Sequence, residues 1–418
     1  MREMKDSGIE WIGKIPDNWT IKKLKYSANN REYKVPDNTG NGYFALENVI
    51  GWKGTLIDTE SKYDTTGAIY CKKYDIAFGK LRPYLAKVFQ VDYDRCCSSE
   101  FAVFYGFDGI SRYYFYIMLS NGFVKAVDIS TYGVKMPRAN IEFIKNIYIP
   151  IPPLSEQQAI SAYLDKKCSE IDSLVSDIQS QIEALEEYKR SVITEAVTKG
   201  LNPDAEMKDS GIEWVGKIPK HWRTNKGKYI FRQRSEKGNL IELQLLSPTQ
   251  KYGVIPQSLY EELTTNTAVK VNEKTNLMTF KTIHIGDYCI SLRSFQGGFE
   301  YSLYEGVVSP AYTVFYAIQA ICEKYYKYLF KDQCFIKEIN SFTLSLRDGK
   351  NISFEDFGNT YLPFPPLEEQ QQIADYLDQK CTQIDSIIAE KKQQIETIEE
   401  YKKSLIFEYV TGKKEVTQ

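Results

Sequence analysis

The residues of this sequence that could carry out chemistry are few and form weak patterns. A restriction-type nuclease needs carboxylates and a lysine clustered around a metal ion, and Asp37 with Glu60 and Lys62 fits that arrangement by residue type. A chain with 55 acidic residues is expected to contain such a match by chance, and the second half of the sequence lacks it. The match is therefore weak support for a nuclease.

A methyltransferase site is not indicated either. Such a site needs Asn or Asp before a Pro-Pro pair and an aromatic residue after it, and neither Pro152-Pro153 nor Pro365-Pro366 has these neighbours. With only His221 and His284 in the chain, histidine-based metal sites and general-base chemistry are not expected. The eight cysteines show no CxxC pair and no Cys/His metal spacing, which predicts small apolar fillers in a reducing compartment. The sequence thus predicts no catalytic residue, no metal site and no cofactor in this chain.

Two blocks of the sequence occur twice. MKDSGIEWIGKIPDNW at 4–19 returns as MKDSGIEWVGKIPKHW at 207–222, and PIPPLSEQQAISAYLDKKCSEIDSLV at 150–175 returns as PFPPLEEQQQIADYLDQKCTQIDSII at 363–388. The segments between them share little. A repeat of this kind indicates that the blocks do the same structural job twice, while the variable segments do different versions of one job.

The second block of each copy predicts a long helix. Each stretch runs for about 40 residues without Gly or Pro, and apolar residues recur every seven positions, with Lys391 interrupting the second series. An apolar stripe on an acidic helix must be buried, which favours an antiparallel pair over two helices that each pack on their own domain. The predicted pairing residues are Leu164, Ile171, Ile178, Leu185 and Val192 in the first helix, and Leu377, Ile384, Ile398 and Leu405 in the second.

The variable segments are predicted to be α/β domains. In both, short apolar runs alternate with Gly, Asp and Asn turns, and a helical stretch follows. The Tyr-rich run 113–116 favours core packing over base stacking. The predicted fold class is α+β, with two α/β domains joined by two long helices that form an antiparallel coiled coil with internal pseudo-twofold symmetry. The predicted divisions are residues 1–150 (with box 4–19), helix 151–200, residues 201–363 (with box 207–222) and helix 364–412.

The net charge of −2 divides unevenly along the chain. Residues 20–150 carry 18 Lys and Arg against 13 Asp and Glu, and residues 223–362 carry 17 against 14. Residues 154–200 and 367–410 are acidic, with 5 basic against 9 acidic residues and 5 against 10. Two mildly basic segments therefore alternate with two acidic helices. Only the local field attracts phosphates, although surpluses of this size also fit an ordinary solvated surface.

The composition is that of a folded protein outside the membrane. Hydrophobic residues make up 43% of the chain and aromatic residues 14%. No run approaches 18 apolar residues, and the N-terminal MREMKDSGIE is too polar for a signal peptide. These features predict a soluble, cytoplasmic protein.

In the repeated PPL-x-EQQ-x-I boxes, the IEWIGKIPDNW and IEWVGKIPKHW boxes and the strand-turn GKLRPYLAK, the chain resembles the specificity subunit of type I restriction-modification systems. The resemblance covers essentially the whole chain. It implies two target-recognition domains, each reading half of a split double-stranded DNA sequence, on helices that fix their spacing. It also implies as partners two copies of a modification subunit, an adenine methyltransferase that uses S-adenosylmethionine, and a separate restriction/translocase subunit that uses ATP and Mg²⁺.

The physical argument agrees with what the resemblance implies. Half-sites on one face of DNA recur about every 34 Å, so two readers need a stiff spacer. Because the two variable segments differ, the target is expected to consist of two unlike half-sites and not a palindrome. A coiled-coil scaffold that presents two protein-binding domains remains the alternative, and sequence-selective, salt-dependent DNA binding would separate the two.

The candidate DNA-binding residues lie in two pairs of loops. The family's strand-turn corresponds to 79–84, with a counterpart at 291–298, and a second pair of loops precedes the PPL boxes at 132–140 and 345–351. Arginine can bind guanine with two hydrogen bonds and glutamine can pair with adenine, whereas lysine suits phosphates. An exposed charge or an ion pair within the domain is the alternative for each residue. The candidates are Arg82, Arg138, Arg293, Arg347 and Gln296 for bases, and Lys80, Lys135 and Lys350 for phosphates.

Overall fold

The computed structural model describes residues 2–34, 42–57, 67–131, 133, 136–238, 243–264, 277–291, 298–342 and 352–416. They fall into two compact units. Unit 1 comprises Met1–Ser180 and Lys391–Gln418, and unit 2 comprises Gln181–Glu390. Each unit therefore contains one variable segment and a part of each long helix.

The strands of unit 1 are short. In chain order they are β1 (Met4–Asp6), β2 (Lys14–Pro16), β3 (Thr20–Lys23), β4 (Asn29–Arg31), β5 (Tyr43–Phe44), β6 (Val49–Ile50), β7 (Thr55–Leu56), β8 (Ile69–Cys71), β9 (Ile76–Gly79), β10 (Val88–Gln90), β11 (Arg95–Cys97), β12 (Phe101–Tyr105) and β13 (Tyr148–Ile151). The largest sheet has the order β10-β9-β12-β4 and is antiparallel throughout. A second sheet, β5-β11-β8, pairs β5 parallel and β8 antiparallel with β11.

Strands β9 and β12 are buried on both faces, which explains their continuous apolar sequences. Successive side chains of a strand point to opposite faces. Ile76 and Phe78 of β9 join the main core of unit 1, while Ala77 points into a second core that also contains Phe101 and Val103 of β12. Both strands therefore lack the apolar–polar alternation of a half-exposed sheet.

The helices of unit 1 cover the main core. They are α1 (Ser111–Leu119), α2 (Asn121–Asp128), α3 (Ile141–Asn146), the first part of α4 (Leu154–Lys199) and, from the end of the chain, the last part of α10 (Leu367–Val410). Pro152 and Pro153 precede α4, and Gly200, with a φ of +76°, follows its end. The tyrosines of the run 113–116 are buried in this core.

Unit 2 repeats this arrangement. Its helices are α5 (Gly227–Ile230), α6 (Gln257–Thr264), α7 (Glu323–Leu329), α8 (Gln333–Ser341) and α9 (Phe354–Asn359), together with parts of α4 and α10. Its main antiparallel sheet has the order β17-β25-β22-β23. The strands are β14 (Met207–Asp209), β15 (Lys217–Pro219), β16 (Arg223–Lys226), β17 (Phe231–Gln233), β18 (Lys237–Gly238), β19 (Leu246–Thr249), β20 (Gly253–Pro256), β21 (Phe280–Ile283), β22 (Tyr288–Ile290), β23 (Phe299–Tyr301), β24 (Gly306–Val308), β25 (Thr313–Ala317) and β26 (Tyr361–Phe364).

Polar contacts between the variable segments and the long helices are repeated as well. In unit 1, Arg112 and the Tyr116 hydroxyl bind the Asp165 carboxylate at 2.6 and 2.7 Å. In unit 2, Lys324 and the Tyr328 hydroxyl bind Asp378 at 2.7 and 2.6 Å. The segments that share little sequence are therefore two versions of one fold, and the predicted α+β class with internal symmetry is confirmed.

The long helices α4 and α10 pack together and run antiparallel. In unit 1 the rings of Tyr163 and Tyr409 lie 4.5 Å apart, and Lys402 binds Asp172 at 2.7 Å. Residue numbers thus rise along α4 in the direction in which they fall along α10, so the two helices are antiparallel. In unit 2, Lys189 of α4 binds Asp385 of α10 at 2.6 Å. Of the predicted pairing positions, the structure buries Leu164, Ile171, Ile178, Val192, Leu377, Ile384 and Leu405, and half-buries Leu185 and Ile398.

All eight cysteines are free thiols, and only Cys334 is not fully buried. Among the described residues, no group of three or more His, Cys, Asp or Glu side chains is placed to hold a metal ion. Within the same residues, no helix combines the length and the apolar character needed to cross a membrane.

Candidate nucleic-acid interface

The strand-turn that follows β9 has an unusual backbone. Arg82 adopts φ 49° and ψ 62°, and Ala86 adopts φ 46° and ψ 49°, so a 3-10 turn (Pro83–Leu85) is bounded on both sides by left-handed residues other than glycine. Such conformations are uncommon and cluster at functional sites. The Arg82 side chain is exposed and makes no ion pair with any residue that the structure describes.

The second candidate loop of unit 1 lies directly against this turn. The Arg82 amide donates to the Pro137 carbonyl at 2.7 Å, and the Ala139 amide donates to the Lys80 carbonyl at 2.8 Å. Leu81 and Arg138 form an isolated antiparallel bridge. Two loops more than 50 residues apart in sequence therefore form one surface, which contains Lys80, Arg82 and Arg138.

Glu100 organises the cations of this surface, and sequence reasoning missed it. Both Glu100 carboxylate oxygens lie 2.5 Å from an Arg138 guanidinium nitrogen, and the Glu100 carbonyl accepts from the Lys80 amide at 2.9 Å. The ion pair that the sequence left as the alternative for Arg138 is thus present. The Arg138 side chain still keeps 41% of its surface exposed, so it remains accessible to a ligand.

The ammonium group of Lys80 is affected by burial and by two neighbouring charges. Burial lowers the pKa of its ammonium group, while the nearby Glu100 carboxylate raises it and Arg138 lowers it again. A neighbouring carboxylate favours the charged ammonium group, whereas burial and a neighbouring guanidinium disfavour it. Lys80 is half-buried, Arg82 is exposed and Arg138 is tethered, so the three cations differ in how freely they can reach a phosphate or a base.

The matching loop of unit 2 is closed at its base by a hydrogen bond from the Ser291 amide to the Gly298 carbonyl, at 2.7 Å. This places the loop between β22 and β23, the counterparts of β9 and β10. Several residues singled out from the sequence lie outside the described residues, and their roles stay predictions: Arg293, Gln296, Arg347, Lys350 and Lys135, together with Asp37, Glu60 and Lys62 of the nuclease pattern.

Comparison with known proteins gives a consistent result over the whole chain. A family model described as "Type I restriction modification DNA specificity domain" matches twice, at residues 13–184 and 216–397. The two matches cover most of the chain and coincide with its internal repeat.

Relatives and solved structures agree with that match. The chain is 25% identical to the putative type I restriction enzyme MjaX specificity subunit of Methanocaldococcus jannaschii, over 96% of this chain and 95% of that protein. It is 27% identical to the MjaVIII specificity subunit of the same organism, over 72% and 69%.

Two solved structures share the fold at 16% identity, and each match covers 95% of this chain and 98% of the other. One, with a TM-score of 0.71, comes from work described as "Structural basis underlying complex assembly and conformational transition of the type I R-M system". The other, with a TM-score of 0.51, is the crystal structure of the HsdS subunit from Thermoanaerobacter tengcongensis.

Proposed function

Because the chain belongs to the family of type I restriction-modification DNA specificity subunits, which are not catalytic themselves, we propose that it recognises an asymmetric two-part DNA target and directs partner enzymes to it. The partners in this proposal are two copies of an adenine methyltransferase subunit and a restriction endonuclease subunit. The long helices act as the spacer between the two reading segments of the chain.

The observation that carries the proposal is one fold built twice with different loops. The tyrosine–aspartate contact recurs at Asp165 and Asp378, with an arginine as the second donor in unit 1 and a lysine in unit 2. The loop after β9 reads GKLRPY, whereas the loop after β22 reads SLRSFQGG. A shared framework with unlike loops is what two readers of unlike half-sites need, since base contacts specify the sequence and the framework only positions them.

Within unit 1 we assign base contacts to Arg82 and Arg138 and phosphate contacts to Lys80. Arg82 supports the assignment because it is exposed and its backbone is held in a left-handed conformation. The corresponding assignments in the other loops are Arg293, Gln296 and Arg347 for bases, and Lys135 and Lys350 for phosphates.

Repeated exposed apolar residues support two equivalent docking surfaces for the methyltransferase. A single exposed apolar side chain is ordinary on a soluble protein, so the support comes from the recurrence of exposed apolar residues at the same positions of both repeats. The long helices expose them at equivalent repeat positions, namely Leu154 with Leu367, Leu174 with Ile387, and Tyr188 with Tyr401. Two identical subunits would each need one such set.

The cofactors of the reactions belong to the partners in this proposal. S-adenosylmethionine would be bound by the methyltransferase subunit, and ATP and Mg²⁺ by the restriction subunit. This chain would contribute the choice of the DNA sequence.

A genome-wide map of N6-methyladenine in the host, with and without this chain, tests the proposal. Deletion is expected to abolish methylation at one two-part motif. Exchange of residues 20–149 for the segment of another family member is expected to change one half of that motif only. A map that does not change on deletion would contradict the proposed function, and a change in both halves would contradict the assignment of the two reading segments.

A further inference from the structure

Unit 1 exposes two lysine–tyrosine contacts side by side. The Lys25 ammonium lies 5.2 Å from the ring centroid of Tyr26, and the Lys23 ammonium lies 5.2 Å from that of Tyr148. These four residues are called the first Lys–Tyr patch. Strand pairing joins the two contacts, because Lys23 of β3 stands opposite Tyr148 of β13, and the turn with Lys25 and Tyr26 follows β3 directly.

Unit 2 repeats the patch in the same register. The Lys228 ammonium lies 5.7 Å from the ring centroid of Tyr229, and the Lys226 ammonium lies 5.2 Å from that of Tyr361. Lys226 of β16 stands opposite Tyr361 of β26. This second Lys–Tyr patch lies, like the first, in a variable segment. Its two lysines and two tyrosines are therefore the same residue types in both segments, although most other positions of the segments differ. A job common to both segments explains that recurrence.

The patches are open to solvent and carry uncompensated positive charge. Tyr26 and Tyr229 expose 70% and 59% of their surface, and Tyr148 and Tyr361 expose 40% and 47%. None of the four lysines forms an ion pair with a carboxylate of the described residues, although Lys228 donates a hydrogen bond to the Asn359 amide oxygen at 3.1 Å. Exposed aromatic rings beside unneutralised ammonium groups fit an anionic ligand.

A single short helix connects each patch with a candidate base-reading loop. In unit 1, α3 begins directly after the loop that contains Arg138, and it packs against the 3-10 turn Leu24–Tyr26 of the patch. Six residues of α-helix span about 9 Å. In unit 2, α9 packs in the same way against α5, which contains Lys228 and Tyr229, and Tyr361 follows it.

We infer that the two Lys–Tyr patches bind phosphates of the DNA backbone beside the bases read by each unit, since a helix of only about 9 Å separates each patch from a candidate base-reading loop. The inference rests on the proposed function. Phosphates are the same in both half-sites whatever their sequence, which matches a patch that recurs unchanged between segments whose reading loops differ. Lysine supplies the charge, and the tyrosine hydroxyl groups can donate hydrogen bonds to phosphate oxygens.

The test compares three double variants of the full chain in complex with its methyltransferase. Lys23→Ala with Lys25→Ala removes the charge of the first patch, and Lys226→Ala with Lys228→Ala removes that of the second. Lys166→Ala with Lys392→Ala is the control, because both lysines are exposed on the long helices and form no ion pair with any residue that the structure describes. DNA affinity is titrated at several salt concentrations on a duplex with the mapped motif and on a scrambled duplex.

Each patch variant is expected to reduce the slope of log affinity against log salt by about 0.9 per lysine, or about 1.8 for a pair. The reduction should be similar on both duplexes, the methylation motif should not change, and the control should retain the wild-type slope. Thermal unfolding verifies that each variant is folded. If an alanine variant does not fold, the variant with glutamine at the same lysines replaces it.

Two results would overturn the inference. One is an unchanged slope in both patch variants. The other is loss of methyltransferase binding with a normal slope, which would make the patches a protein-docking surface. The proposed function fails separately, when the wild-type complex does not distinguish the motif duplex from the scrambled one.

Discussion

The indole nitrogen of Trp19 donates a hydrogen bond to the Glu156 carboxylate, 2.9 Å away. Trp222 makes the same bond to Glu369 at 2.8 Å. Each pair joins a copy of the first repeated block to the first turn of the long helix in the second block, across at least 130 residues of variable sequence. The two blocks recur together because they fold as one structure, on which the variable segment is mounted.

Replacement of Glu156 by Ala is expected to destabilise unit 1 by about 2 kcal/mol, because it leaves the fully buried Trp19 indole without an acceptor and removes hydrogen bonds from Arg2 and Asn18. The midpoint of urea unfolding at pH 7 measures the effect. Glu142→Ala is the control, since within the described part of the chain that exposed carboxylate pairs only with Lys145, one turn away. Equal shifts in the two variants would refute the anchoring role of Glu156.

The Glu156 contribution is also expected to depend on pH. Burial raises the pKa of its carboxyl group, but hydrogen bonds from Arg2, Trp19 and Asn18 outweigh burial, and the pKa lies below its ordinary value. A lowered pKa means that the stabilisation is present above the pKa of the unfolded chain and is lost as pH falls through the folded value. The difference between wild type and Glu156→Ala should therefore shrink in acid, below about pH 4.

Glu300 is expected to show the opposite dependence. Its carboxyl is 1% exposed, and among the described residues only one of its oxygens has a hydrogen-bond partner, Lys331 at 2.7 Å. Burial raises its pKa to about 7. Stability should fall as pH rises from about 4.5 through 7, because the folded chain holds the proton more tightly. Glu300→Gln should therefore be more stable than wild type at pH 8, by up to about 3 kcal/mol, and similar to it near pH 5.

The control for Glu300 is Glu262→Gln, an equal change of charge at an exposed position. Thermal unfolding between pH 5 and pH 8 gives both curves. A Glu300→Gln curve parallel to that of the wild type would show that the carboxyl does not titrate in this range.

Arg82→Gly separates recognition from stability. Glycine relieves the left-handed strain at φ 49° while it makes the unfolded chain more flexible, so the free energy of unfolding should change by less than about 1 kcal/mol. Loss of a base contact should reduce affinity for the motif about 10-fold to 100-fold. Ala86→Gly, at φ 46° in the same turn, should leave affinity unchanged. Full affinity in Arg82→Gly would remove Arg82 from the interface.

The two ion pairs between the long helices should differ in strength. The Lys402 side chain is 7% exposed where it binds Asp172, whereas Lys189 and Asp385 are 27% and 59% exposed. Asp172→Asn leaves a buried ammonium without a counter-charge and is expected to destabilise by about 3 kcal/mol, whereas Asp385→Asn should do so by less than about 1 kcal/mol. Chemical unfolding of both variants makes the comparison, and equal losses would show that burial does not distinguish the pairs.

Patterns among residues close together in the sequence predicted the long helices and the fold class. The seven-residue repeat from Leu164 to Val192 predicted α4, and the confirmed α+β class followed from the repeated blocks. Contacts between distant segments carry no such signal. Glu100 is 38 residues from Arg138 and no spacing links them, and the predicted domain 1–150 does not include the residues after 390 that complete unit 1. The motif K-x-K-Y occurs at 23–26 and 226–229 but is too short to distinguish from chance in the sequence alone. It gains meaning from the strand pairing, which places a tyrosine opposite the first lysine in both units.

The antiparallel return of α10 determines the order in which the chain can complete its cores. Unit 2 is one continuous stretch, Gln181–Glu390, whereas the core of unit 1 includes Leu405, Ile406 and Val410. During synthesis, residues 1–180 therefore leave the ribosome before the part of α10 that covers their core. An apolar face of unit 1 stays uncovered until that part of α10 emerges, by which time unit 2 already has all of its own residues.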